Sequence, residues 1–180
     1  MKKAITIILL LFLTIHLHSQ ELVKFPYKTT LKDIHGKSFL SSNLTNNNSP
    51  IILEYWASYC KPCISKLNEL SKKYDKWKDK YNVKIIVVSI DKGKHIKDAL
   101  TIIKKNNWPF EFYFDSDLTL LSKLSQFKFV PQSFIFDKKM RKVKSFKGVK
   151  YKNPPSNYLD VTNLKVDLYR YKKILKKASK

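Results

Sequence analysis

The chain has 180 residues, with 36 Lys plus Arg against 14 Asp plus Glu and a formal net charge of +22 at pH 7. Hydrophobic residues make up 43% and aromatics 13%, which excludes a disordered, purely solvating chain and fits one domain with a real core. Two cysteines exclude a multiply stapled mini-domain, and no internal repeat is present.

The first 19 residues read as a secretory leader. Met1-Lys2-Lys3 is basic, Ala4 to Leu17 is almost wholly apolar, and Ser19 is a small residue at the expected cut. The apolar run is shorter than the ~20 residues of a membrane span. An uncleaved anchor and a buried first helix are the alternatives. Cleavage after Ser19 predicts a mature domain over residues 20–180, with net charge +20 and no membrane span.

Thr30 to Leu40 reads as two short strands around a turn at Gly36. Thr45 to Ser49 is a polar loop. Ile51 to Trp56 is a compact apolar strand interrupted by one acid, Glu54, as expected of a strand buried on both faces. The stretch W-A-S-Y-C-K-P-C follows, Trp56 to Cys63, and holds both cysteines. Ile64, Leu67, Leu70, Tyr74, Trp77 and Tyr81 recur at three- and four-residue steps, the stripe of an amphipathic helix. Lys84 to Ile90 is the strongest strand signal. A helix over His95 to Lys105, a short strand over Phe110 to Phe114 and a third helix over Asp115 to Ser125 come next. Val130-Pro131 leads into a further strand, with Val143 to Val149 its predicted antiparallel partner. Tyr151 to Asn163 reads as a loop and Leu164 to Lys177 as a basic helix. Strands alternating with helices predict an α/β fold around a mixed sheet, parallel at its centre with an antiparallel edge.

Spacing makes the cysteines informative. A stabilising bridge closes a long loop, whereas C-x-x-C closes almost nothing. A zinc site needs about four ligands, and beyond the leader only His35 and His95 remain, each alone in its segment. No metal is therefore expected. C-x-x-C beside a βαβ pattern reads as a redox pair. Cys60, at the end of a strand and the start of a helix, is expected to be the nucleophile, because helix-start N–H groups favour a thiolate. Lys61 and Lys66 are expected to push the same way. Cys63, one turn deeper, would resolve the mixed disulfide, and Pro62 suits the first helical position.

The ordered motifs resemble thioredoxin-fold oxidoreductases, above all the exported TlpA/ResA-type branch. The carrying segments are Asp33-Ile34-His35-Gly36-Lys37, Trp56 to Cys63, Val87 to Asp91, Trp108-Pro109-Phe110, Phe114-Asp115 and Val130 to Asp137. The resemblance implies a thioredoxin-like three-layer sandwich with an amino-terminal β-hairpin and flanking helices. It implies disulfide exchange with protein thiols and disulfides through Cys60-Lys61-Pro62-Cys63, with the redox-active disulfide in place of a cofactor. It favours a reductant recharged by a membrane electron donor. It also implies that Glu54, six residues before Cys60, is a buried acid exchanging a proton with Cys63. Replacing it by Gln is then expected to hold or slightly raise stability. Pro131 is expected to be cis and to face the pair, with the Val130 backbone offering hydrogen bonds to an extended substrate. Trp56 and Tyr59, with Lys61 and Pro62, would flank the site, with packing in the core an equal expectation for Trp56.

The sequence departs from that branch at three places. Lys66 stands where an acid is usual, Lys138 to Arg141 lacks the usual Gly, and 150–163 has no counterpart. Two rivals within the fold fit less well. A peroxidase of the peroxiredoxin kind needs Pro and Thr or Ser where Leu53 and Ala57 stand, and a copper chaperone needs a wider cysteine spacing. A non-enzymatic binding module or metallochaperone with a basic surface is the alternative from another class. The lysines are spread along the whole chain and Arg occurs only at Arg141 and Arg170, so the charge reads as a solvated surface with no specific nucleic-acid partner.

Overall fold

The computed structural model describes residues 24–45, 48–148 and 161–179, with side chains in the last segment from Tyr169 onward. The predicted leader, residues 1–19, lies outside the described residues. So do most of the predicted 151–163 loop and the carboxyl end of the predicted Val143–Val149 strand.

Seven strands form one sheet in the order β2-β1-β5-β4-β3-β6-β7. They are β1 (Thr30–Asp33), β2 (Ser38–Leu40), β3 (Ile51–Trp56), β4 (Lys84–Ser89), β5 (Glu111–Phe114), β6 (Gln132–Phe136) and β7 (Lys142–Lys147). The helices are α1 (Lys61–Tyr81), α2 (His95–Asn106), α3 (Thr119–Leu124) and α4 (Val161–Ala178). β3, β4 and β5 are parallel, whereas β6 and β7 add antiparallel strands at one side and the β1–β2 hairpin at the other. This is the predicted mixed sheet with its amino-terminal hairpin.

Period-two alternation sorts each central strand onto two cores. Ile52 and Trp56 of β3, Ile85 and Val87 of β4, and Ile135 of β6 face the side covered by α1, α2 and α4. Ile51, Leu53 and Tyr55, with Ile86, Val88, Phe134 and Phe136, face Phe25, Leu44 and the α3 leucines. Helix, sheet and helix thus make three layers. In α1 the predicted stripe is the buried one: Leu67, Leu70, Tyr74, Trp77 and Tyr81 are all in the core. Asn82 ends that helix in the left-handed region, its N–H donating to Lys78 O at 2.8 Å.

The starts of the third and last helices differ from the sequence reading, and the turn without Gly is closed in its own way. The third helix begins at Thr119 rather than Asp115. Asp115 instead caps it from outside, its carboxylate accepting from Leu120 N at 3.2 Å and Leu121 N at 2.8 Å. The turn without Gly is closed by Met140 at φ +56°. That conformation disfavours a side chain, but Met140 is buried in the second core and its carbonyl accepts from Phe25 N at 3.1 Å. The last helix begins at Val161, so the end of the predicted loop is helical.

Candidate active site

Cys60 is the amino-terminal cap of α1 and is bonded to Cys63, with S–S 2.02 Å and Cα–Cα 5.3 Å. The strand β3 delivers the chain to this point. A turn closed by Cys60 N donating to Ala57 O at 3.0 Å then redirects it into the helix. Cys60 Sγ accepts from Cys63 N at 3.3 Å, and its carbonyl takes Ile64 N at 3.1 Å. The sulfur at the helix start therefore meets a backbone donor and the positive end of a 21-residue helix. Pro62 is the second helical residue rather than the first, a position whose N–H also lacks a partner within the helix. Cys60 is 9% exposed and Cys63 1%, while Tyr59, Lys61 and Pro62 are exposed around them. Tyr59 stands edge-on to His95 with ring centres 5.9 Å apart.

The loop before Cys60 is anchored by Asp91, at the end of the β4 segment. Its carboxylate accepts from Ser58 N and Ser58 Oγ, each at 2.8 Å, and from Ser89 Oγ at 2.6 Å. Asp91 is 1% exposed. Its motif was legible in the sequence, but its role was not, because 33 residues separate it from Ser58.

Glu54 is buried beneath α1, on the face of β3 that it shares with Ile52 and Trp56. Oε2 accepts from Ser133 Oγ of β6 at 2.8 Å and lies 3.1 Å from Lys66 Nζ of α1. Oε1 accepts from the Tyr171 hydroxyl of α4 at 2.8 Å. Lys66 Nζ also donates to Ser133 Oγ and lies 5.2 Å from the centre of the Tyr171 ring. Expected to add its charge to Cys60, Lys66 is instead buried and ion-paired to the acid. Tyr171 and Ser133 were not singled out from the sequence; a tyrosine 117 residues from Glu54 carries no local signal of that contact.

Val130 is partly buried against both cores, and the Val130–Pro131 peptide bond is cis. The Pro131 carbonyl accepts from Gly148 N at 2.8 Å. Trp56 requires a correction. Expected beside the substrate, it is 1% exposed and packs edge-on against Trp108 and Phe112, with ring centres 5.8 Å and 6.4 Å away. The inward face of a central strand leaves it no surface for a substrate.

A thioredoxin-like α/β sheet with a C-x-x-C disulfide at a helix start defines the class: a thiol-disulfide oxidoreductase, acting on protein thiols and disulfides through its own redox-active cysteine pair. More particularly, the chain belongs to the AhpC/TSA family, whose model matches residues 24–145. It is 26% identical over 132 residues to a thiol-disulfide oxidoreductase ResA of Bacillus cereus, covering 73% of this chain and 67% of that one. Among solved structures it is similar to an uncharacterized thioredoxin-like protein from Porphyromonas gingivalis, with TM-score 0.66 and 25% identity over 86% of this chain and 93% of that one. A thiol-disulfide oxidoreductase from Bacteroides fragilis shares the fold at TM-score 0.58 and 19% identity, over 69% of this chain and 91% of that one. Among the described residues no cluster of three or more His, Cys, Asp or Glu could hold a metal ion, and no helix is long and apolar enough to cross a membrane.

Proposed function

We propose that this is an exported reductant of protein disulfides, with Cys60 as nucleophile and Cys63 as resolving cysteine. The observation that carries the assignment is the asymmetry of the pair: Cys60 caps the helix with its sulfur at a backbone donor, and Cys63 lies below it at 1% exposure. The Cys60 thiolate attacks one sulfur of a partner disulfide. A Cys60–partner disulfide forms and one partner thiolate leaves. The Cys63 thiolate then attacks Cys60 Sγ, closing the Cys60–Cys63 bond and releasing the second partner thiolate. Two electrons have moved to the partner, and a membrane dithiol donor returns them. Glu54 accepts the Cys63 proton. The Val130 backbone beside Pro131 aligns an extended partner segment, with Tyr59, Lys61 and Pro62 at its border. Export rests on the leader-like residues 1–19, and the reducing direction on the resemblance to the TlpA/ResA-type branch.

Reduced protein given a brief, limiting pulse of iodoacetamide tests the roles. Cys60 is expected to be alkylated well ahead of Cys63, and Cys63→Ala to accumulate mixed disulfides that Cys60→Ala does not. Preferential labelling of Cys63 reverses the assignment. Equilibration against a glutathione series tests direction, and a potential as oxidising as the strongest thiol oxidants, near about −120 mV, overturns the reductant reading.

A further inference from the structure

Glu54 is held at both oxygens by groups from three other elements. Among the described residues, the titratable or charged groups facing it are Lys66 on α1 and Tyr171 on α4, joined by the Ser133 hydroxyl on β6. Its register neighbour on β4 is the uncharged Val87. Lys66 stands three residues after Cys63, so the two share one side of α1 about a turn apart. Cys63 and Tyr171 belong to the same buried cluster. The acid, its cation and its hydroxyl donor therefore form one unit on the side of the sheet where Cys63 is buried.

We propose that Lys66 and Tyr171 are positioning residues for the proton step at Cys63. The idea rests on the relay reading of Glu54 given above. When Cys63 S–H passes its proton to the Glu54 carboxylate, the products are a Cys63 thiolate and a neutral Glu54 acid. Negative charge moves from Glu54 to Cys63 and none is created. Lys66, ion-paired to Glu54 and one turn along α1 from Cys63, supplies the positive charge for that transfer, so the buried site stays neutral throughout. A buried anion without a counter-charge is strongly disfavoured in low dielectric. Tyr171 fixes Oε1, leaves Oε2 to Lys66 and Ser133, and lays its ring against the ammonium. The carboxyl-terminal helix thereby becomes part of the redox centre, although Tyr171 lies over 100 residues from both cysteines in sequence.

The test is single-turnover reduction of a fluorescent disulfide peptide from pH 5 to 9, reading first attack and resolution separately. Lys66→Met is expected to leave attack by Cys60 nearly unchanged and to move the midpoint of the resolution profile up by about 1–3 pH units, the usual effect of losing an adjacent opposite charge. Tyr171→Phe should move it the same way by a smaller step, and Lys66→Arg should restore it toward the parent. A profile that keeps its midpoint in both Lys66→Met and Tyr171→Phe overturns the proposal, whether or not the rate falls evenly. If Lys66→Met does not fold, Tyr171→Phe and Lys66→Arg decide alone: an unmoved midpoint in the first, or a large displacement in the second, overturns it. Glu54→Gln run in parallel separates the two readings. A Glu54→Gln profile that overlays the parent removes the relay itself. A Glu54→Gln profile that differs, beside unmoved Lys66 and Tyr171 variants, removes only the positioning role.

Discussion

Lys66 Nζ lies 3.1 Å from Glu54 Oε2, with the lysine side chain 8% exposed and the glutamate 3%. The ion pair ties the first turns of α1 to the centre of the sheet, and it reverses an expectation drawn from the sequence. A lone buried acid loses little on neutralisation, but here neutralisation strands a buried ammonium. Glu54→Gln and Lys66→Met are each expected to cost on the order of 3–5 kcal/mol in urea unfolding, the usual result of breaking one half of a buried pair. The double variant should recover most of that loss. Single variants as stable as the parent would show that the pair contributes nothing to the fold.

Gly148 is held against Pro131. A Cβ at that position would lie 2.7 Å from Pro131 Cδ and 2.8 Å from Cγ, both inside any tolerable contact. Gly148→Ala must therefore shift the Pro131 ring or the end of β7. The expected outcome is a loss of about 1–3 kcal/mol. Disulfide exchange should also slow, by about ten- to a hundredfold, because small misplacements of binding groups are costly. An unchanged exchange rate in a folded variant would separate Pro131 from substrate alignment.

The turn after β6 predicts an acid-sensitive contribution. Burial pushes the Asp137 carboxyl up, but hydrogen bonds from Arg141 and Lys139 and the Arg141 charge outweigh it and hold it below the ordinary carboxylate value. A lowered folded-state value means that the stabilisation is complete above the unfolded value, about pH 4, and is lost as pH falls through the folded one. Asp137→Asn should therefore reduce stability near neutral pH and narrow its gap to the parent in strong acid. Parallel stability curves down to about pH 2 would contradict this.

The net charge of +22 has a local concentration. Lys72, Lys73, Lys76, Lys80 and Lys172, with the single acid Glu69, line a groove of about 620 Å³ between α1 and α4. If the surface is merely solvated, reduction of a neutral model disulfide should barely change between low salt and about 0.5 M, where exposed charges are screened. Tight, salt-sensitive binding of residues 20–180 to anionic vesicles or DNA would favour the non-enzymatic binding module instead.

Elements whose signal is local were legible in the sequence. The α1 stripe read from Ile64 to Tyr81 and buried from Leu67 on, the strand read over Lys84 to Ile90 and formed over Lys84–Ser89, the Gly36 turn and the cysteine pair at a strand-to-helix junction appear where their periodicity or spacing places them. Each is set by neighbours within about one helical turn or one strand pair. What surrounds Glu54 was not legible. Its partners come from α1, β6 and α4, at separations of 12, 79 and 117 residues, and no periodicity links such positions. The sequence placed an acid in an apolar strand and a lysine where an acid is usual; only folding could show that each answers the other. Trp56 illustrates the same limit. Its place beside C-x-x-C left substrate contact and core packing both open, and the fold turns it inward onto Trp108. Side-chain direction at a buried site is decided by the elements that cover it, and those are brought there by the tertiary fold.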